Sequence, residues 1–427
     1  MADEPVRLNV QALSEVFAQA DSAAVAAATK DSAALVELAS QAPVVRLVDT
    51  MLLEAVKRQA SDIHIEAFER DVLIRYRIDG RCYQVAQTPR TLAMAVASRL
   101  KVLANLDVAE SRLPQDGRIL LSVSDRQIDL RISTLPTMHG ESIVLRVLDK
   151  RSLDKTLVDL GMEPSMQRTV EGLIALPHGL LLVTGPTGAG KTTTLYACLT
   201  GLNSADRKLI TTEDPVEYDL EGLVQVPVNP KIDLSFATCL RSILRHDPDV
   251  IMVGEIRDQE TAQIAIQAAL TGHLVLSTLH TNDAPGAVTR LLDMGLEPFL
   301  ITSTVTGVLA QRLLRALCPS CRAPYDAPAQ ELAVLRTTAA ALSQPLMRAV
   351  GCDDCQGIGY RGRIGVFELL VMTDALRPLI LRRASIGEIR AQARAEGLRT
   401  LREDGVAKVL AGVTTAEEML RETQDYE

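Results

Sequence analysis

Residues 185–193 read GPTGAGKTT, and no other stretch limits so strongly what this chain can fold into. The pattern is G-x-x-x-x-G-K-[ST], which works only where a strand runs into it and a helix leaves it. Leu180 to Thr184 (LLLVT) is an apolar segment of strand length, and Leu195 to Leu202 is rich in helix formers. The glycines let backbone N–H groups turn inward around phosphate oxygens, and the helix N-terminus adds partial positive charge. The expected cradle is Gly185, Pro186, Thr187, Gly188, Ala189, Gly190, Lys191, Thr192 and Thr193. Lys191 is placed to reach the β- and γ-phosphates of a nucleotide, and Thr192 to hold Mg2+. The plain alternative is a glycine-rich turn, which would not need these flanks.

Past this loop, apolar strands recur and each ends in polar residues. Leu209 to Thr212 leads into Glu213-Asp214-Pro215, Val250 to Gly254 into Glu255, and Leu274 to Ser277 into Leu279-His280-Thr281-Asn282. Helical stretches separate them, notably Phe236 to Arg245 and Glu260 to Leu270. This alternation predicts a parallel sheet. Ligands of such sheets sit beyond the carboxyl ends of the strands. Glu255 is therefore the candidate to polarise an attacking water or hold a metal-bound one; its plain reading is a surface carboxylate. Glu213 and Asp214 are adjacent, so at least one is expected on the metal side, and Asp214 can instead cap a turn. His273 and His280 flank one strand and read as nucleotide sensors rather than proton-transfer groups. Arg241 and Arg245 are four apart and share a helix face. They are either surface ion-pairing groups or arginine fingers to a neighbouring subunit.

Ahead of the loop the pattern changes. Ala42 to Ala60 reads as an amphipathic helix with Pro43 near its start. Val72 to Ile78 alternates strictly, a half-buried strand that Asp79-Gly80 closes. Leu92 to Leu106 looks helical and Gln115-Asp116-Gly117 reads as a turn. Ile119 to Val123, Gln127 to Ser133 and Ile143 to Leu148 read as further strands. Residues 42–148 are thus expected to form an α/β domain with an antiparallel sheet. Arg131 and Arg146 project from that sheet, either into solvent or toward a phosphate on another domain or subunit. Residues 1–41 are Ala-rich and read as a short helical or mobile segment. Residues 149–161 read as a linker with a short helix, and 162–315 as the nucleotide-binding core.

The seven cysteines of this 427-residue chain are an odd set for a disulfide framework. Four of them form two pairs, Cys318-Pro-Ser-Cys321 and Cys352-Asp-Asp-Cys355. Two such knuckles suit a closed tetrahedral Zn2+ site, structural rather than catalytic. A redox pair is the alternative, without thioredoxin-like context. Residues 316–365 are assigned to this module and 366–427 to a helical C-terminal region. No apolar run approaches the roughly 18 residues of a spanning helix, and the N-terminus lacks a secretory signal pattern. The net charge of −9 and 3% aromatic content argue against a nucleic-acid binder.

Together these motifs resemble the secretion ATPases of the type II secretion and type IV pilus assembly group. The carrying residues are ASDIHIE (60–66), RYRIDG (75–80), LPQDGRI (113–119), PTMHGESIVLRVLDK (136–150), GPTGAGKTTTLY (185–196), TTEDPVEY (211–218), RSILRHDPDVIMVGEIRD (241–258), TGHLVLSTLHTNDAPGAVTRL (271–291) and the two CxxC pairs. LPQDGRI, the linker and EPFLITS (297–303) lean toward the type II secretion member, and the four cysteines argue against the pilus retraction motor. The resemblance implies a PAS-like N-terminal domain, a RecA-like motor and nucleotide held between them. On that mapping Arg131, Arg146, Arg241 and Arg245 fall at arginines that contact phosphates. Glu213 and Asp214 fall in the aspartate box, His273 and His280 in the histidine box, and Glu255 at the catalytic glutamate. It also implies a homo-hexamer using ATP and Mg2+ on the cytoplasmic face of the inner membrane. Its partners would be a membrane platform protein and, through the N-terminal region, a second docking protein.

The expected function is ATP hydrolysis driving inter-domain motion for pseudopilus assembly and protein export. Pilus extension by the same chemistry is the near alternative, and a nucleic-acid motor the distant one.

Overall fold

The computed structural model describes residues 36–37, 39–123, 126–148 and 155–423. These fall into two compact units, one up to 148 and one from 155 onward. Most of the expected Ala-rich segment and the first half of the expected linker lie outside the described residues. Residues 157–161 form turns rather than the short helix expected there.

In the first unit, α1 (Ala42–Lys57) leads into β1 (Asp62–Ala67), β2 (Asp71–Ile78) and β3 (Arg81–Pro89). Then come α2 (Thr91–Leu103), β4 (Gln115–Val123), β5 (Arg126–Thr137) and β6 (Gly140–Leu148). All six strands join one antiparallel sheet, ordered β3-β2-β1-β6-β5-β4. Strict alternation decides its faces: Ile63, Ile65, Ile74, Tyr76, Leu130, Ile132 and Leu145 are buried on one side. The buried Tyr76 hydroxyl donates to the Met51 carbonyl at 2.7 Å, tying β2 to α1. Strand β3 was not anticipated, since its sequence (RCYQVAQTP) is polar at alternate places and sits at the sheet edge. The expected turn at Gln115-Asp116-Gly117 is instead the start of β4. Gly117 is needed there because a Cβ would lie 2.9 Å from the Leu106 side chain.

The second unit begins with α3 (Pro164–Ile174), β7 (Gly179–Thr184), α4 (Lys191–Leu202), β8 (Leu209–Glu213) and β9 (Val224–Pro227). It continues with α5 (Phe236–Ile243), β10 (Val250–Val253), α6 (Gln259–Leu270), β11 (Leu274–Leu279), α7 (Ala284–Asp293), α8 (Pro298–Thr304) and β12 (Val305–Leu317). The last part holds β13 (Ala323–Tyr325), α9 (Ala329–Val334), β14 (Leu346–Arg348), β15 (Tyr360–Val371), α10 (Leu376–Leu381), α11 (Ile386–Ala395), α12 (Leu401–Leu410) and α13 (Ala416–Glu422). Seven strands form one sheet, ordered β15-β12-β7-β11-β10-β8-β9, parallel except for β15. Both faces are covered, so its central strands are buried at every position and mostly apolar. Leu180, Leu182, Ile251 and Val275 join one core with α5, α6 and α7. Leu181, Val183, Met252 and Leu276 join another with α3 and α4.

The boundary expected at 365/366 cuts through β15, a long strand paired with β12 in the central sheet. The cysteine segment is therefore an excursion between two strands of the second unit's sheet, and the C-terminal helices begin only at α10. Buried polar ties fix these helices to the sheet. Arg315 of β12 pairs with Glu418 of α13 at 2.7 Å and lies over the Tyr360 ring. Asp404 of α12 accepts from the Phe367 N–H and pairs with Lys408.

Candidate nucleotide-binding site

Strand β7 delivers Gly185 to Gly190 at the carboxyl end of the sheet, and α4 begins at Lys191, as the motif requires. Gly190 takes φ of +86°, a conformation that a side chain resists. The Lys191 ammonium donates to the carbonyls of Gly185 (2.8 Å) and Pro186 (3.0 Å). Its pKa is lowered to about 8, chiefly by burial; the Glu255 carboxylate opposes that shift and the Arg312 guanidinium adds to it. Thr192 is exposed at the start of the helix.

Strand β11 beside β7, and β10 one further along, bring their end residues toward this loop. Glu255 follows β10, and its carboxylate sits between Arg257 (2.6 Å) and the Nε2 of His280 (3.2 Å). Arg257 has a raised pKa, first through its bond to Glu255, with Asp214 contributing at longer range. Lys191, Glu255, Arg257, His280, Asp214 and Arg312 thus cluster beside the 185–190 loop.

The adjacent acidic pair is split by the end of β8, whose last residue is Glu213 while Asp214 lies beyond it. Glu213 is buried and accepts from Thr211 (2.5 Å), Gln225 (3.0 Å) and the Tyr196 hydroxyl. It is an anchoring carboxylate under α4, and burial together with this bond raises the Tyr196 pKa. Asp214 is exposed, so of the two it is the one open to a metal ion.

The two histidines are not brought together. His273 precedes β11 at its amino end, where its ring bonds the Ala268 carbonyl at 2.9 Å and its own carbonyl accepts from Gly179 at 3.1 Å. His280 follows the same strand at its carboxyl end. Strand rise over that span separates them by roughly 20 Å. His273 therefore closes the C-terminus of α6, and of the two only His280 stands on the side of the 185–190 loop.

Helix α5 stops at Ile243, so Arg241 and Arg245 do not share a helical face as expected. Arg241 pairs with Glu260 of α6, and Arg245 folds back onto the Arg241 carbonyl at 2.8 Å. In the first unit, Arg131 and Arg146 are direct cross-strand neighbours. Their row continues through Arg118 on one side and through Asp62 and Arg77 on the other. Asp62 meets Arg146 at 3.4 Å and Arg77 at 3.5 Å.

Sequence reasoning missed β12 and with it two residues at the loop. The Gln311 carbonyl lies 2.5 Å from where a Gly185 Cβ would stand, and its side-chain nitrogen 2.9 Å from a Gly190 Cβ. Gln311 also accepts from Thr194 of α4 at 2.6 Å. Arg312 follows it. The signal available was a polar Gln-Arg pair inside the apolar run 305–317.

Cys318, Cys321, Cys352 and Cys355 converge with all four sulfurs within 4.8 Å of one another. Their resolved separations are 3.7 to 3.9 Å. A tetrahedral ion with Zn–S bonds of about 2.3 Å requires sulfurs about 3.8 Å apart, so the cluster fits Zn2+. Backbone N–H groups of Gly351, Cys352 and Gly359 point at the sulfurs from 3.1 to 3.3 Å, as thiolates require.

No helix among the described residues is long and apolar enough to cross a membrane.

A family model described as Type II/IV secretion system protein matches residues 37–421. The chain is 53% identical over 405 residues to Type II secretion system protein E of Pseudomonas aeruginosa, spanning 95% of this chain and 80% of that protein. It is 51% identical over 393 residues to Type II secretion system ATPase E of Vibrio cholerae, spanning 92% and 77%. Among solved structures, the pilus retraction motor PilT with bound ADP aligns with a TM-score of 0.57 at 26% identity, covering 88% of this chain and 96% of PilT. The ATPase DotB of Legionella pneumophila shares the fold, with a TM-score of 0.63 at 22% identity over 87% of this chain and 93% of DotB. One family model runs through both compact units and relatives match at half identity, so this chain belongs to the type II/IV secretion system protein family.

Proposed function

We propose that this protein is a P-loop ATPase that powers type II secretion, working as a homo-hexamer at the cytoplasmic face of the inner membrane. The observation that carries the reading is Glu255, held by Arg257 and His280 at a strand end and close enough to Lys191 to act on its charge. Relatives at half identity are named for type II secretion, which favours export over pilus extension.

In this mechanism Gly185 to Thr193 cradle the phosphates and Lys191 leaves its loop carbonyls for phosphate oxygens. Thr192 and Asp214 are the groups that would hold Mg2+, which when bound neutralises charge on the phosphates. Glu255 orients the attacking water and takes its proton, while His280 fixes the carboxylate. Arg131, Arg146, Arg241 and Arg245 supply positive charge to phosphates in the assembled ring, and His273 is given no role there. The four cysteines would hold Zn2+ as a structural clamp. Hydrolysis would move the two units, and a membrane platform protein would receive that movement.

The test is ATP turnover per chain against protein concentration, for wild type and Glu255→Gln. Turnover should rise with concentration as subunits assemble, and the variant should lose about 1,000-fold, within the range of a general base. A variant that keeps a tenth of wild-type turnover removes Glu255 from this role. Single-stranded DNA should leave turnover unchanged; stimulation would favour a nucleic-acid motor.

A further inference from the structure

The loop from His280 to Ala284 is tied to three neighbouring strands, β7, β12 and β15, and each strand gives it one polar anchor. On β7, the Thr184 hydroxyl accepts from the Thr281 N–H at 2.9 Å and meets the Thr281 hydroxyl at 2.7 Å. On β15, the buried Glu368 carboxylate accepts from the Ala284 N–H at 2.8 Å. Between them, on β12, Arg312 donates through Nη2 to both the Asn282 carbonyl (3.0 Å) and the Asn282 side-chain oxygen (3.2 Å). Its Nη1 donates to the Gln311 carbonyl at 3.0 Å and stands 3.3 Å from where a Gly185 Cβ would be. One planar guanidinium thus touches the loop that carries His280 and packs against the first glycine of the phosphate cradle. Gly185 is open there only because it has no side chain.

From this geometry we infer that Arg312 is a positioning residue for hydrolysis. It holds the His280 loop in register with the phosphate cradle, so that His280 stays on Glu255. The fork geometry matters as well as the charge: Nη2 meets both Asn282 acceptors while Nη1 meets the Gln311 carbonyl, a division between two nitrogens that a lysine's single ammonium does not reproduce. Thr184 secures the near end of the loop and Glu368 the far end. Arg312 is the anchor that also borders the nucleotide cradle, which makes it the link between phosphate occupancy and Glu255. The inference rests on the ATPase reading above.

The test uses the full chain with ATP and with N-methylanthraniloyl-ADP as a fluorescent binding probe. Arg312→Ala should lower kcat by about 10- to 100-fold while KM and the probe Kd stay within about threefold, the signature of an interaction expressed in the reacting state. Arg312→Lys should stay near the alanine value. Combined with His280→Ala, Arg312→Ala should cost no more than about a further twofold, because residues acting through one another are not additive. Probe binding by each variant reports that its cradle is folded. A probe Kd weakened in step with turnover, full rescue by lysine, or additive losses would each overturn the inference. An unaffected Arg312→Ala beside an active wild type overturns it alone. A wild type that neither binds the probe nor hydrolyses ATP overturns the ATPase reading and this inference with it.

Discussion

In the first unit, β1 and β2 bury every second residue; in the second, β7, β8, β10 and β11 are buried at every position. The one-sided sheet has a whole face to spare, and it carries the row Arg77, Asp62, Arg146, Arg131 and Arg118 there. The two-sided sheet has no free face, because helices cover both. Its polar chemistry sits at strand ends, with Thr184, Glu213, Glu255 and His280, and on the long paired strands β12 and β15, with Gln311, Arg312 and Glu368. Two ways of covering a sheet thus dictate two ways of presenting charge.

This contrast can be broken at its apolar positions first. Leu182, fully buried on β7, should cost about 3 kcal/mol of stability when changed to alanine. Leu120 is 64% exposed on the open face of β4, and its truncation should stay within about 0.5 kcal/mol. Denaturant unfolding of both variants checks this, and comparable losses would mean that the first sheet's open face is covered.

The arginine row comes next. Arg131→Ala and Arg146→Ala should each lower kcat/KM for ATP by about 10-fold, one lost charge contact in the reacting state. Melting temperature should hardly change, since an exposed pair such as Arg146 with Asp62 contributes little to stability. Unchanged kinetics would return the row to a solvated surface.

The smallest effect concerns Glu368, the far anchor of the His280 loop. Burial lifts its pKa from 4.5 to about 7, with the Asp283 carboxylate adding to the rise. Between those values the folded chain holds a proton that the unfolded chain has lost. This contribution to stability is therefore complete below about pH 4.5 and fades as pH rises through 7. Glu368→Gln should flatten the fall of melting temperature across that window, measured by scanning calorimetry. A slope identical to wild type would place the carboxyl in a wetter setting.

The contrast also explains what could be read in advance. Alternation in 72–78 and unbroken apolar runs at 180–184 and 250–253 announce their sheets directly, because burial acts on each residue in turn. β12 was not legible: its run of 13 residues joins the second sheet only through pairing with β7 and β15, a long-range choice. The same limit hid Arg312, whose partner Asn282 is remote in sequence.

The sequence by itself determined the phosphate cradle, the carboxylate after β10 and the four cysteines, since each depends on residue type at short spacing. Only the tertiary structure decided that Glu213 is an internal anchor while Asp214 is open, and that His273 and His280 lie at opposite ends of one strand. Those outcomes turn on where β8 ends, which leaves Glu213 inside the sheet and Asp214 beyond it, and on the length of β11, which carries residues seven apart to opposite edges of the sheet.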